Sequence, residues 1–82
     1  HPNIAPYQTF AVADGHIIVA VGNDGQFARL CALLGAPALS EEERFRSNAD
    51  RVRNRSGLEA ALAPLIALRR KHELLAAMTA AG

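Results

Sequence analysis

The feature that most constrains the fold is the dipeptide Asp14-Gly15, which stands between two runs of residues with strand chemistry. Asp-Gly between such runs is a strong signal for a two-residue β-hairpin turn. The sequence therefore predicts an antiparallel hairpin of residues 8–13 and 16–21, with Val12 opposite Ile17.

In this register the larger apolar side chains share one face of the hairpin. That face holds Phe10, Val12, Ile17, Val19 and Val21, and the other face holds Thr9, Ala11, Ala13, His16, Ile18 and Ala20. Because a lone hairpin is only marginally stable in water, helices must cover the larger apolar face. The other face carries mostly smaller side chains, so a second layer could approach it.

The rest of the chain has the composition of a small, helix-rich domain. The chain has 82 residues, of which 50% are hydrophobic, and alanine is the commonest of these. A first helix is predicted from an N-cap at Asn23 or Asp24 to about Leu34. Gly35 suits the C′ position of that helix, and Pro37 blocks its continuation.

Two capping boxes, Ser40 with Glu43 and Ser56 with Glu59, predict a short turn through Phe45 and a longer helix. We expect Pro64 to kink or end that longer helix because proline lacks an amide hydrogen.

A last helix is predicted over about Lys71 to Ala80, with Leu74, Leu75 and Met78 turned inward. The predicted fold class is α+β, with one antiparallel hairpin followed by three to four helices in a single domain, residues 1–82.

The sequence carries none of the common catalytic or metal-binding patterns. Its three histidines have no spacing that would place two on one helix face, and Cys31 has no cysteine partner, so no metal site is predicted. Cys31 lies on the apolar stripe of the first helix, where a buried thiol is the ordinary outcome. There is no glycine-rich phosphate loop and no Gly-x-Ser-x-Gly turn. We therefore assign no catalytic residue.

Basic residues are concentrated in the second half of the chain, where eight of the nine lysines and arginines follow position 43. Acidic residues are interleaved with them, aromatic residues for base stacking are absent from the cluster, and the pI is about 8.2. We therefore predict no nucleic-acid partner, and we expect Arg51 and Arg55 to be structural.

The sequence also bears on cellular context. It has no apolar run of 18 residues and no signal peptide, so we predict no membrane association and a cytoplasmic location. Because the chain starts at His1 without a methionine, we interpret it as a piece of a longer protein.

Polar side chains are expected to gather at one end of the hairpin. Tyr7 enters the first strand, and Asn23 and Asp24 leave the second strand at the same end. A strand end beside a helix N-terminus can form a binding site. In the alternative interpretation, Asn23 or Asp24 only caps the helix, and Tyr7 packs with its hydroxyl in water.

Several stretches of the chain resemble the small domain of class III coenzyme A transferases, the CaiB/BaiF family. The matching stretches are HPNIAPYQTF at residues 1–10, ADG at 13–15, VAVGND at 19–24, QF at 26–27, LC at 30–31, and the pattern RF..N..RV..R that begins at Arg44. This family includes formyl-CoA transferase and α-methylacyl-CoA racemase, and the resemblance covers essentially the whole chain.

The resemblance implies an enzyme that moves coenzyme A between carboxylic acids, with a coenzyme A thioester as substrate. It implies that the nucleophilic aspartate and the main coenzyme A surface lie on a large Rossmann-like domain. It also implies that two subunits form an interlocked homodimer. The chain alone would then be inactive, bind no cofactor tightly, and form a wall of the active-site cleft and part of the dimer scaffold.

By the same resemblance, Tyr7, Asn23 and Asp24 would line the acyl side of the cleft. Two positions depart from the family pattern: Pro64 lies in a helix usually free of proline, and His16 stands where relatives often carry an aromatic residue such as tryptophan. The alternative function is a stand-alone protein-interaction domain without enzymatic activity.

Overall fold

The computed structural model describes residues 3–81, which form a two-stranded hairpin followed by helices. The elements are β1 (Tyr7–Val12), β2 (Gly15–Ala20), α1 (Asp24–Leu33), α2 (Asn48–Arg53), α3 (Arg55–Ala67) and α4 (Lys71–Ala81). Two short 3-10 helices, Pro37–Glu41 and Glu43–Phe45, connect α1 to α2. The predicted α+β class, one hairpin followed by helices, is confirmed.

The register of the hairpin differs from the predicted one by two residues. Val12 lies opposite Gly15 rather than Ile17, so the two-residue loop is Ala13-Asp14. Gly15 adopts a φ of +155°, which residues with a side chain rarely adopt. A shift of two residues keeps every side chain on its own face of the ribbon, because side chains alternate with a period of two. The predicted faces are therefore confirmed although the predicted register was wrong.

Contacts with the α3–α4 connection explain this register. The Ala13 N–H donates to the carbonyl of Arg69 at 2.8 Å, and the Asp14 carboxylate accepts from the Lys71 N–H at 2.7 Å. Arg70 also lies 3.7 Å from the same carboxylate. Residues 13 and 14 thus form the loop that meets the start of α4.

The core forms between the inner face of the hairpin and the apolar stripes of the helices. Its main buried side chains are Phe10, Val12, Ile17, Val19 and Val21 from the hairpin, Phe27, Leu30, Cys31 and Leu34 from α1 and its C-cap, Leu58, Leu62 and Ile66 from α3, and Phe45 and Leu74. The outer face of the hairpin is open, and its Ile18 side chain is 69% exposed. The helices therefore cover one face of the sheet only.

Helix α1 begins and ends as predicted. Asn23 is the N-cap, and its side chain accepts hydrogen bonds from two backbone N–H groups. At the other end, the Gly35 N–H donates to Ala32 and the Ala36 N–H donates to Cys31, which together form a Schellman motif. Gly35 has a φ of +81°, the left-handed conformation that this motif requires.

Both predicted capping boxes were wrong. Ser40 lies inside a 3-10 helix, where its hydroxyl donates to the carbonyl of Pro37 at 2.9 Å. Ser56 lies one residue inside α3, which begins at Arg55 after Asn54. The real side-chain cap is Ser47, whose hydroxyl accepts from the Asp50 N–H at the start of α2.

Two predictions for the last helices are wrong in part. Helix α3 continues through Pro64 to Ala67, so proline does not end it there. The missing amide removes only one helical hydrogen bond, the one that residue 64 would donate to the Ala60 carbonyl, and α3 ends three residues after the proline. In α4, Leu74 is buried as predicted, but Leu75 is 42% exposed beside the outer face of the hairpin.

Candidate functional site

The three predicted site residues lie at the open end of the hairpin. Tyr7 is the first residue of β1 and pairs with Ala20 at the end of β2. The ribbon continues for one more hydrogen bond, from the Val21 N–H to the Pro6 carbonyl at 2.8 Å. Asn23 and Asp24 follow directly, so the structure brings both chain segments to the same end.

Each of these residues has a different structural environment. The Asn23 side-chain oxygen accepts from the N–H groups of Gly25 and Gln26, at 2.8 and 3.2 Å. Tyr7 is 47% exposed on the outer face. The Asn23 oxygen is therefore occupied by helix capping, whereas the Tyr7 ring is accessible in this chain.

Gly22 allows the two segments to approach each other closely. A Cβ atom at Gly22 would lie 2.8 Å from Cγ2 of Ile4, closer than real contacts permit. Any larger residue at position 22 would therefore push the segment before β1 away from the segment after β2.

Asp24 binds a buried arginine that the sequence did not identify as its partner. One Asp24 carboxylate oxygen accepts from Nη2 of Arg51 at 2.9 Å. Arg51 is fully buried, whereas the Asp24 side chain is 59% exposed. The remaining Arg51 nitrogens donate to the carbonyls of Ala5 (2.9 Å) and Phe45 (3.0 Å), and the guanidinium lies over the Phe27 ring at 4.5 Å.

Arg51 belongs to a stripe of three polar side chains that binds the backbone preceding β1. Asn48 accepts from the Ala5 N–H and donates to the Asn3 carbonyl, at 3.1 and 2.8 Å. Arg55 donates to the Ile4 carbonyl at 3.2 Å. We call Asn48, Arg51 and Arg55 the entry clamp. Their spacing of i, i+3 and i+7 was the available signal, because it would place three polar side chains on one face of a continuous helix, although Asn54 separates α2 from α3 here.

The single cysteine of the chain is not placed to act as a nucleophile. Cys31 is buried in the core, and burial raises the pKa of its thiol to about 11. Nucleophilic cysteines instead have lowered pKa values and partial exposure. Within residues 3–81, no cluster of histidine, cysteine and acidic side chains could hold a metal ion.

The surface of the described residues has two depressions near the hairpin. A groove of about 130 Å³ lies beside the site and is lined mainly by Val21, Gln26, Arg29, Leu30 and Met78. This is smaller than the roughly 300 to 1,000 Å³ of typical small-molecule sites. A shallow, mainly apolar trough of about 400 Å³ lies on the outer face, between Ile18 and Leu75.

No helix within residues 3–81 combines the length and the apolar character needed to cross a bilayer.

The family model for CoA-transferase family III matches residues 1–82. A succinate--glutarate CoA-transferase of Agrobacterium fabrum is 56% identical over 52 residues, which are 63% of this chain and 13% of that protein. An acyl-CoA transferase of Fusarium pseudograminearum is 39% identical over 82 residues, which are 100% of this chain and 18% of that protein. The chain thus spans less than a fifth of either relative.

A solved structure shows the same fold. The crystal structure of a CaiB/BaiF family protein from Brucella suis superposes with a TM-score of 0.97 at 49% sequence identity, covering 100% of this chain and 22% of that one. The match of the family model over all 82 residues, together with this superposition, shows that the chain belongs to CoA-transferase family III.

Proposed function

We propose that residues 1–82 are the small domain of a longer enzyme that moves coenzyme A between carboxylic acids. The observation that carries this proposal is the family match over the whole chain. The length of the relatives supports a longer protein, because the chain covers only 13% and 18% of the two described above. The substrates of the parent enzyme would be a coenzyme A thioester and a free carboxylic acid.

We further propose that the acid is a dicarboxylic acid. The Agrobacterium relative is named for succinate and glutarate, which both carry two carboxylates. This chain shares 56% of the aligned residues with that relative. A second carboxylate would distinguish such substrates from fatty acids of similar length.

In this proposal, Tyr7, Asn23 and Asp24 line the acyl side of the cleft. Their common position at the open end of the hairpin supports this role. Asn23 would line the cleft by its position at the start of α1, because its side-chain oxygen is already used to cap that helix. Tyr7 and Asp24 have side chains that are 47% and 59% exposed, so both could face a substrate.

The catalytic nucleophile and the main coenzyme A surface would lie on the large domain of the parent. The buried thiol of Cys31 is unsuited to covalent catalysis, since attack requires an accessible thiolate. We therefore expect the 82-residue chain alone to transfer no coenzyme A and to bind no cofactor tightly.

The open outer face of the hairpin would pack against the large domain or against a second subunit of an interlocked homodimer. Ile18 and Tyr7 are both exposed there, and the trough beside Leu75 is mainly apolar. Large exposed apolar side chains that lie together commonly mark an interface. The alternative, a stand-alone interaction domain, would use the same face without any enzymatic parent.

The test is a transfer assay on the full-length parent protein with succinyl-CoA as donor and glutarate as acceptor. Formation of glutaryl-CoA, followed by mass spectrometry, is the expected result. Tyr7→Phe should lower kcat/KM for the acid, whereas Glu59→Gln on the exposed surface of α3 should not. A folded parent that transfers coenzyme A to no mono- or dicarboxylic acid would refute the proposal and favour the interaction domain.

A further inference from the structure

The buried guanidinium of Arg51 is the middle member of the entry clamp. Burying a charged group is costly unless it is paired and fully hydrogen-bonded. Nε, Nη1 and Nη2 of Arg51 each donate to a different acceptor, and no buried side-chain nitrogen or oxygen in residues 3–81 lacks a partner. Because its side chain is fully buried, Arg51 is not placed to bind an external anion.

The three acceptors of Arg51 come from three separate parts of the chain. Ala5 is 46 residues away in sequence, Asp24 is 27 away, and Phe45 is 6 away. A planar guanidinium can donate in three directions at once, whereas a lysine ammonium is a compact point charge on a flexible stem. The geometry therefore requires arginine rather than any cation.

Two of these acceptors belong to the segments that meet at the candidate site. Ala5 lies two residues before Tyr7, and Asp24 is the first residue of α1, directly after Asn23. Losing Arg51 would remove one hydrogen bond from the segment before β1 and, at the same time, the ion pair of the Asp24 carboxylate. Asn48 and Arg55 would still bind residues 3–5.

The charge of Arg51 matters as well as its shape. The free oxygen of Asp24 belongs to a largely exposed carboxylate, which would repel an anionic substrate nearby. The guanidinium beside it offsets that charge without entering the solvent. Arg51 thus sets both the position and the local field of Asp24.

We propose that Arg51 is a positioning residue that tunes binding of the carboxylic acid substrate through Asp24, without touching the substrate itself. This inference rests on the proposed function, because it needs Asp24 to face the acid. It assigns the entry clamp no role in binding coenzyme A. The KM for the acid and the KM for the thioester should therefore respond differently to substitution.

The test uses the full-length parent protein and four variants: Arg51→Lys, Asp24→Asn, the double variant, and Arg53→Lys. Arg53 is the matched control, since it is an exposed arginine on the same helix that pairs with Asp50. Arg51→Lys should raise the KM for the acid about tenfold, the effect of losing one hydrogen bond between charged groups. It should leave the KM for the thioester within twofold, as should Arg53→Lys for both substrates.

The double variant tests whether Arg51 acts through Asp24. We expect it to raise the KM for the acid no further than the larger single effect, because both changes break one link. The proposal would be overturned if the effects of the two single substitutions on the KM for the acid multiplied in the double variant. It would also be overturned if the KM for the acid and the KM for the thioester changed equally. An unchanged KM for the acid in Arg51→Lys would overturn it as well.

Hydrogen exchange supplies a readout that does not require activity. Arg51→Lys should speed exchange at least about fivefold in residues 3–7 and 22–26, and should leave α4 unchanged. A uniform increase across the chain would show a merely structural role and contradict the inference. If the parent shows these local changes but no transferase activity, the proposed function fails while the positioning of Asp24 by Arg51 stands.

Discussion

At the scale of single residues, Asp14 shows how one carboxylate can hold two elements together. Its side chain accepts from the first N–H of α4 while its own backbone forms the hairpin loop. Hydrogen bonding to Lys71 lowers the pKa of Asp14 below its usual value of 3.8, and the charge of Arg70 lowers it further. The charged carboxylate is therefore the form that stabilises the fold.

This pKa shift predicts a specific dependence of stability on pH. Because the folded pKa lies below the unfolded one, the contribution is present above about pH 4 and is lost as the pH falls through the folded pKa. We expect the Tm of the wild-type chain to fall more steeply than that of Asp14→Asn between about pH 5 and pH 2. Thermal melts at a series of pH values test this, with Glu59→Gln as control. Parallel curves for wild type and Asp14→Asn would contradict the assignment.

A second prediction at this scale concerns Cys31. With a pKa of about 11, only about one thiol in a thousand would be ionised at pH 8, and that thiol is buried. We expect an aromatic disulfide reagent to modify the chain only as fast as it unfolds, and to react completely in denaturant. Rapid modification of the native chain, followed by absorbance, would show that the first helix does not bury this residue.

At the scale of elements, the hairpin shows which structural features can be predicted from the local sequence. The period-two pattern from Phe10 to Val21 identified the buried face correctly. Successive side chains of a strand point to opposite faces of the sheet whichever residues they pair with on the other strand. The register was not local, since it depends on the contact of Asp14 with Lys71, 57 residues away. Propensity alone cannot predict a contact of that kind.

The candidate site divides in the same way. The position of Tyr7 and Asn23 at one end of the ribbon follows from the hairpin itself, and Asn23 has the side chain of a good N-cap. The binding of Arg51 to Asp24 joins residues 27 apart, and no periodicity in the sequence signals it. In the sequence, Arg51 instead belongs to a cluster of arginines that had to be considered as a possible nucleic-acid-binding surface.

Pro64 gives the prediction that belongs to α3. Its missing amide leaves a carbonyl one turn earlier without its helical hydrogen bond, and the proline side chain is exposed. We expect Pro64→Ala to increase the free energy of unfolding by about 1 to 2 kcal/mol. This is less than the full difference in helix propensity between alanine and proline, because proline also restricts the conformations of the unfolded chain. Urea denaturation measures it, with Ala60→Gly expected to lower stability by about 1 kcal/mol. A less stable Pro64→Ala would mean that proline matters for packing.

At the scale of the whole molecule, the chain has a well-packed inner layer and an open outer one. Helices cover one face of a two-stranded sheet, and Tyr7, Ile18 and Leu75 remain exposed on the other side. Two-stranded sheets gain stability from a further layer, so we propose that a neighbouring domain packs on this face.

We therefore expect the isolated 82-residue chain to self-associate through this face at high concentration. Ile18→Lys should reduce association strongly, because it places a charge in the centre of the apolar surface. Leu68→Lys is the matched control, since Leu68 is 79% exposed at the C-cap of α3. Sedimentation velocity distinguishes the species. A monomer at all concentrations, or equal effects of the two substitutions, would contradict the interface.

The entry clamp has a consequence for how the chain is made. The backbone of residues 3–5 binds side chains that follow 43 to 51 positions later. A ribosome that adds about 5 to 20 residues per second synthesises Arg51 roughly 2 to 9 seconds after Ala5. Until Asn48 is made, residues 3–5 have none of their clamp partners, although both strands of the hairpin have already been synthesised. Nascent chains halted before Asn48 should therefore hold a hairpin with an unanchored beginning, and the open end that carries Tyr7 should be the last part of the ribbon to become ordered.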